Sequence, residues 1–279
     1  MMQVRSVTSD MRPRSGKRFT RSHSSRLAIG QLRIVSLLEP SGVDTIRFVA
    51  LINGAIQDSF NDPEVREITW QSAERVGKST VGANILGYVI DREPCDLLWV
   101  MPSREAMADF LKDEIEPMVR ANPSLEKKIG QGRQPRQLGR TNNTRRKSFL
   151  GGTATFVGGA SASPLAFRTV RVVILDEIDK LRVLPGEGDA DSLASKRVST
   201  YGTDFKILRF SKPTLEGTSR INRHFLRGSR AYYHITCPSC GEFQELGWAL
   251  LRFDDLCPRC TSCDGFFDQD SWQGSVGTG

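Results

Sequence analysis

Apolar positions along the chain fall into short runs that switch between two periods. Glu67–Gln71, Asp96–Met101, Thr153–Val157, Arg171–Leu175 and Lys206–Phe210 are compact runs rich in β-branched and aromatic residues. Ser79–Ile90 and Ser103–Val119 instead carry apolar residues at helical spacing. In the second helix Phe110, Leu111, Ile115 and Met118 share a face, and Ser103 after Pro102 suits an N-cap. Strands alternating with helices predict parallel βαβ units, and so an α/β body from about Leu37 to Ser229. A capped helix from Thr218 or Ser219 to Arg227, closed by Gly228, ends it. Between Ser124 and Leu150 neither period holds. Eight Lys and Arg residues stand there against Glu126 alone, which reads as a basic loop.

Length and charge refine this picture. At roughly 150 residues per domain, 279 residues predict one large domain with a small appendage. The longest apolar runs, Leu97–Met101 and Val172–Leu175, fall far short of the ~20 residues of a membrane-spanning helix, which excludes an integral membrane protein. The net charge is +7, but residues 1–30 hold seven Lys and Arg against Asp10 and so carry +6 of it. A basic, Ser-rich, disordered tail is expected there. Such a tail suits DNA phosphates, and its cationic, acid-poor character is shared with organelle transit peptides, while a solvated extension explains it as well.

The stretch Ser72-Ala73-Glu74-Arg75-Val76-Gly77-Lys78-Ser79 lies between a predicted strand and a predicted helix, where a nucleoside-triphosphate loop belongs. It matches G-x-x-x-x-G-K-[ST] except for Ser72 at the first glycine position. Backbone N–H groups would cradle phosphate oxygens, with Gly77 allowing close approach. Lys78 would reach the β- and γ-phosphates of ATP, Ser79 would ligate Mg2+, and Thr80 follows in the helix start. About 100 residues on, the β-branched run Arg171–Leu175 meets Asp176-Glu177, which brings two acids to the carboxyl edge of a parallel sheet. Asp176 would hold Mg2+, and Glu177 would orient or deprotonate the attacking water. Gly159-Ala160-Ser161-Ala162-Ser163 lacks the second glycine of a hydrolase nucleophile elbow and is read as turn chemistry.

These residues resemble the ATPase half of a phage terminase large subunit of the lambda-type branch. The resemblance rests on NDPEVREITWQSAERVGKST, GGTATFVGGASASPLAFRTVRVVILDEID, KRVSTYGTDFKILRFSKPTLEGTSRI and YYHITCPSCG, in the family's order. It implies that Ser211-Lys212-Pro213-Thr214 is the coupling motif, in which Ser211 and Thr214 sense the γ-phosphate. It also implies a charge-stabilising arginine, with Arg75 the first candidate and Arg197 the second. Family members continue into a nuclease domain with clustered metal-binding acids, whereas this sequence stops at Gly279, so no DNA cleavage is expected of it.

Five of the six cysteines, Cys237, Cys240, Cys257, Cys260 and Cys263, fall within 27 residues, which favours a metal over disulfides. Cys237, Cys240, Cys257 and Cys260 give C-x2-C-x16-C-x2-C, a zinc-ribbon spacing. Cys260 and Cys263, followed by Asp264-Gly265, form a rival second pair, so four of the five would hold a structural Zn2+. Cys95 is read as a small buried side chain and His234 as a strand residue.

The expected architecture is a basic tail over 1–30, a P-loop NTPase domain with a mostly parallel sheet flanked by helices over 31–231, and a zinc-ribbon-like module over 232–279. The expected function is that of an Mg2+-dependent ATPase in a DNA-packaging motor, truncated before the nuclease. By the resemblance its partners are double-stranded DNA, a terminase small subunit, a portal and further copies of itself, in the host cytoplasm. A non-catalytic DNA- or partner-binding prophage remnant is the alternative. A helicase would need a second motor lobe for which the chain has no room. DNA contacts are expected from the tail and the basic loop, and otherwise from the surface around Arg220, Arg223, Arg227 and Arg230.

Overall fold

The computed structural model describes residues 54–131, 145–159, 169–184, 186, 188–245, 247–252, 254–255, 257–268 and 271–278. The tail, the start of the body, residues 132–144 of the basic segment and most of Gly159–Ser163 lie outside them.

A six-stranded sheet forms the body. After a helix over 54–61 (α1), its elements begin with β1 (Glu67–Gln71), α2 (Lys78–Asp91) and β2 (Leu97–Met101). Next come α3 (Arg104–Phe110), α4 (Glu116–Ala121), α5 (Pro123–Gln131), β3 (Arg146–Phe149) and β4 (Gly152–Gly158). Then follow β5 (Val172–Asp176), the ribbon β6 (Val183–Leu184) and β7 (Gly188–Asp189), α6 (Ala190–Ser195), β8 (Lys206–Ser211) and α7 (Arg220–Leu226). The sheet order is β1-β8-β5-β2-β4-β3. Its pairs are parallel except that β3 runs antiparallel to β4.

Both faces of the sheet are covered, which explains the unbroken apolar runs. On β5, Val172 and Ile174 enter one core while Val173 and Leu175 enter the other. The first core adds Ile56 and Phe60 of α1, Val81, Ile85, Leu86 and Val89 of α2, and Trp99 of β2. Trp99 stacks on Phe156 at 5.7 Å between ring centroids, and α2 crosses it so closely that a Cβ on Gly82 would stand 2.6 Å from the indole. The second core holds Ala190 and Ala194 of α6, Val198, and Ile221 of α7.

The expected single helix over Ser103–Val119 is interrupted by a π-helical turn at Leu111–Ile115. Pro117 lies just beyond, and its ring and missing N–H are incompatible with an ordinary helical turn ahead of it. Ser103 caps the helix as expected, accepting the Ala106 N–H at 3.1 Å. The basic loop needs correcting, because its described ends are regular structure. Pro123–Gln131 is helical, with Leu125 buried, and Arg146–Phe149 becomes an edge strand through pairing with β4. Lys128 binds Asp91 at 2.8 Å and Lys147 stands 3.4 Å from Glu116, so two of its cations already face carboxylates.

Beyond α7 the chain changes character. β9 (Ala231–Thr236) is the centre of a three-stranded antiparallel sheet, with β10 (Phe243–Glu245) on one side. β11 (Leu251–Arg252) and β12 (Cys257–Pro258) form a small ribbon. The Gly-rich end supplies β13 (Gln273–Thr278), which pairs with β9 from Gln273↔Thr236 to Thr278↔Ala231. Backbone pairing rather than side-chain pattern makes it a strand.

Candidate nucleotide site and cysteine cluster

Strand order decides which loops meet. β8 lies between β1 and β5, and all three are parallel, so their carboxyl ends present three loops side by side. The Ser72 N–H donates to the Ser211 carbonyl at 3.2 Å, joining the loop after β1 to the end of β8.

In the first loop Gly77 is the N-cap of α2 at φ 79°, ψ 22°, a left-handed conformation that favours glycine. Arg75 shares the left-handed region at φ 60° and is exposed. The side chain of Lys78 is buried and turned back on the loop. It donates to the Ala73 carbonyl at 2.6 Å and stands 3.8 Å from Glu177 Oε1. Burial lowers its pKa, while the charges of Glu177 and Asp176 oppose that shift. Ser79 Oγ donates to Asp176 Oδ2 at 3.5 Å, and Thr80 is half-buried behind it.

Asp176 is only 3% exposed at the end of β5. Burial raises its pKa to about 7, and the neighbouring Glu177 charge adds to the effect. A buried carboxylate beside a hydroxyl, with Lys78 and Lys180 as its nearby cations, offers hard oxygen donors of the kind a divalent cation takes. Glu177 follows at φ 49°, left-handed for a residue with a side chain. Ser211 Oγ lies 3.4 Å from Glu177 Oε2 and donates to the Lys212 carbonyl at 2.9 Å. Ser72, Lys78, Ser79, Asp176, Glu177 and Ser211 therefore converge.

Thr214 is directed elsewhere: its N–H and its hydroxyl both donate to Asp179 Oδ2, each at 3.0 Å. The backbone of Arg197 accepts from the Val170 N–H just ahead of β5, at the amino end of that strand and so on the opposite edge of the sheet from Asp176. Sequence reasoning missed Glu74 and Lys212, whose ion pair at 2.7 Å bridges the first loop and the coupling motif. It also left Asp179 without a role, although Asp179 closes the quoted DEID.

In the cysteine module, Cys237, Cys240, Cys260 and Cys263 bring their sulfurs within 4.8 Å of one another. Cys237 and Cys263 are 3.8 Å apart, and Cys240 and Cys260 3.5 Å. Tetrahedral Zn–S bonds of about 2.3 Å imply sulfur separations of about 3.8 Å, so this donor set fits zinc. Cys257 lies outside the cluster on β12, its Sγ 3.8 Å from the Asp255 carbonyl. The set is thus the Cys260 and Cys263 pair with Cys237 and Cys240, not the x16 spacing through Cys257. Both pairs turn alike: Gly241 at φ 73° follows one and Asp264 at φ 58° follows the other. Gln244 ties the pairs together, donating to the Arg259 carbonyl at 2.8 Å and accepting from the Thr261 N–H at 2.7 Å. Burial opposes ionisation of Cys237, but the N–H groups of Cys240 and Ser239 outweigh it and bring the thiol down to about 7. His234 stacks on Phe243 at 4.6 Å. Cys95 packs half-buried against the first core, and burial pushes its thiol up to about 11.

Among the described residues no helix is long and apolar enough to cross a membrane. Residues 52–279 match the family model of the phage terminase large subunit gpA, ATPase domain. The terminase large subunit of Enterobacteria phage P21 is 28% identical over 213 residues, covering 73% of this chain and 31% of that protein. That of Escherichia phage lambda is 28% identical over 201 residues, covering 69% of this chain and 30% of its own length. The chain thus spans about a third of these relatives. Among solved structures, the Thermus phage P74-26 large terminase ATPase domain is similar over 67% of this chain and 70% of its own, at 17% identity and a TM-score of 0.40. The large terminase of another thermophilic bacteriophage, in complex with ADP, is similar over 62% of this chain and 39% of its own, at 14% identity and a TM-score of 0.35. Likenesses that distant carry no argument. With the family model matching most of its length, the chain belongs to the phage terminase large subunits and carries their ATPase domain.

Proposed function

We propose that this chain is the Mg2+-dependent ATPase of a DNA-packaging motor. The observation that carries the reading is the convergence of Lys78, Ser79, Asp176, Glu177 and Ser211 at the carboxyl ends of three adjacent parallel strands. Lys78 would leave the Ala73 carbonyl to bind the β- and γ-phosphates of ATP, and backbone N–H groups at Gly77 would complete the cradle. Ser79 and Asp176 would hold Mg2+, which when bound offsets the phosphate charge. Glu177 would orient the attacking water and accept its proton. Ser211, within reach of Glu177, would sense the terminal phosphate. Arg75 remains the proposed source of charge stabilisation, in its own site or a neighbour's.

The same reading gives the chain double-stranded DNA as its track. It adds a small subunit, a portal and further copies of itself as partners, and the host cytoplasm as its place of action. Cys237, Cys240, Cys260 and Cys263 would hold one structural Zn2+, leaving no open position for water.

The test is ATP turnover by the purified chain, with and without duplex DNA and with Mg2+ removed. Turnover that needs Mg2+ and is lost in Lys78→Ala supports the reading, because no other residue of the loop offers an ammonium to the phosphates. Unchanged turnover in Lys78→Ala rejects the assignment. A wild-type chain that binds DNA without hydrolysing ATP would instead favour the non-catalytic remnant.

A further inference from the structure

Asp179 receives more hydrogen bonds than a surface acid needs. It sits two residues after Glu177, in the 3-10 turn Ile178–Lys180, and is half-buried. One oxygen accepts the N–H and hydroxyl of Thr214, and the other accepts the Ile221 N–H at 2.8 Å. Its own N–H points to Ser211 Oγ at 3.4 Å, the hydroxyl that also faces Glu177. Burial alone would raise its pKa, but bonds from Ser219, Ile221 and Thr214 hold the carboxyl below its ordinary value. Asp179 therefore stays ionised and binds the segment Thr214–Ile221 to the turn that bears Glu177.

A second tie acts beside it. The Arg220 guanidinium donates to the Ile178 carbonyl at 3.0 Å and to the Leu181 carbonyl. The start of α7 is thus fastened to the acidic turn through the backbone of one residue and the side chain of its neighbour. α7 leads within a few residues into β9 and the cysteine module. The left-handed backbone at Glu177 persists only where surrounding contacts fix it, and the Asp179 bonds supply such contacts.

We infer that Asp179 is a positioning residue that sets Glu177 and couples its turn to α7 through Thr214 and Ile221. The inference rests on the ATPase reading. Thr214, whose single hydroxyl proton goes to Asp179, belongs to this clamp in the present conformation.

The experiment compares Asp179→Asn, Thr214→Val and Thr214→Ser in the full chain. It measures steady-state ATP turnover, affinity for a non-hydrolysable ATP analogue, and amide exchange across Arg220–Leu226 with and without that analogue. Asn removes the charge and one acceptor, so Asp179→Asn should lower kcat about tenfold with nucleotide affinity held within about twofold. Thr214→Val keeps the backbone bond and should lose about threefold, and Thr214→Ser, which keeps the hydroxyl, should recover most of that loss. Nucleotide-dependent protection of Arg220–Leu226 should vanish in Asp179→Asn. Unchanged kcat in Asp179→Asn and Thr214→Val, or equal losses of affinity and turnover, would overturn the inference while leaving the ATPase reading intact. If Asp179→Asn fails to fold, the two Thr214 variants decide. A wild-type chain that neither binds nor hydrolyses ATP would bring down both.

Discussion

The body and the cysteine module are held together by different physics. In the body Trp70, Trp99, Phe156 and Phe210 are fully buried, and two apolar cores cover the two faces of one sheet. Among the described residues of the module, the buried apolar side chains are Ile235, Cys237, Pro258 and Cys260, while Phe243 and Phe266 remain exposed. An assembly of that size cannot offset its chain entropy by apolar burial and needs a staple. The four convergent thiols are the feature suited to that task. The contrast teaches that metal should matter to one region and not the other.

The largest effect should come from removing the proposed zinc. Structural zinc in small modules is worth on the order of 10 kcal/mol of folding free energy. Chelation or Cys260→Ser should therefore raise amide exchange after Tyr232 to that of an open chain, while Leu97–Met101 stays protected. Cys257→Ser should retain one zinc per chain by elemental analysis. If body and module melt together on chelation, the division is mistaken, and zinc-free reduced protein with an ordered module would remove the staple altogether.

The converse experiment acts on the body alone. Arg209 is buried in β8, bonded to Asp191 at 2.9 Å, Glu67 at 2.7 Å and Ser195 at 2.8 Å. His224 of α7 meets the other oxygen of Asp191 at 2.6 Å. Burial would raise the Asp191 pKa, but His224 and Arg209 hold it well below the usual carboxylate range. Removing one partner of such a group strands the others, at a cost of about 3–5 kcal/mol. Arg209→Ala should lower the thermal midpoint of the body accordingly and leave zinc content unchanged.

Glu177→Gln separates chemistry from structure within the body. The amide keeps the shape but cannot accept a proton, so turnover should fall about 100-fold, or about 2.7 kcal/mol, with nucleotide binding retained. Loss of binding as well would make Glu177 a structural residue or a metal ligand.

How much of this was legible beforehand follows the same division. The sheet strands were readable because burial on both faces leaves a run such as Val172–Leu175 with no polar interruption. The convergent residues were readable because their chemistry constrains neighbours in sequence, Gly77-Lys78-Ser79 and Asp176-Glu177 alike. Asp179 was not, because its partners Thr214 and Ile221 lie 35 and 42 residues away and only the fold brings them near. β3 and β13 escaped notice because they are strands by pairing, and β13 by a run of Gly and Ser. The choice between Cys257 and Cys263 was open because both spacings fit zinc, and although Gly241 and Asp264-Gly265 already marked turns, only the fold shows which four sulfurs converge.

The smallest effect concerns DNA, and it tests whether charge divides the molecule as packing does. From Tyr232 to Gly279 the chain holds two Arg and seven Asp and Glu, a net charge of −5, so the preceding residues carry +12. Four thiolates around one Zn2+ would make the module more negative still. Contact with duplex phosphates should therefore belong to the body and its tail. Each contact releases condensed counterions, so log affinity should fall against log salt by about 0.9 per contact. Neutralising Arg133, Arg136 and Arg140 should flatten that slope and weaken unrelated sequences equally, since phosphate contacts carry no base information. Lys128→Ala and Lys147→Ala should change it less, because those ammonium groups already face Asp91 and Glu116. If the arginine variants keep normal affinity and slope, the contact moves to Arg223 and Arg227, which are four residues apart and exposed along and just beyond α7. A slope that depends on Arg252 and Arg259 instead would overturn the electrostatic half of the comparison.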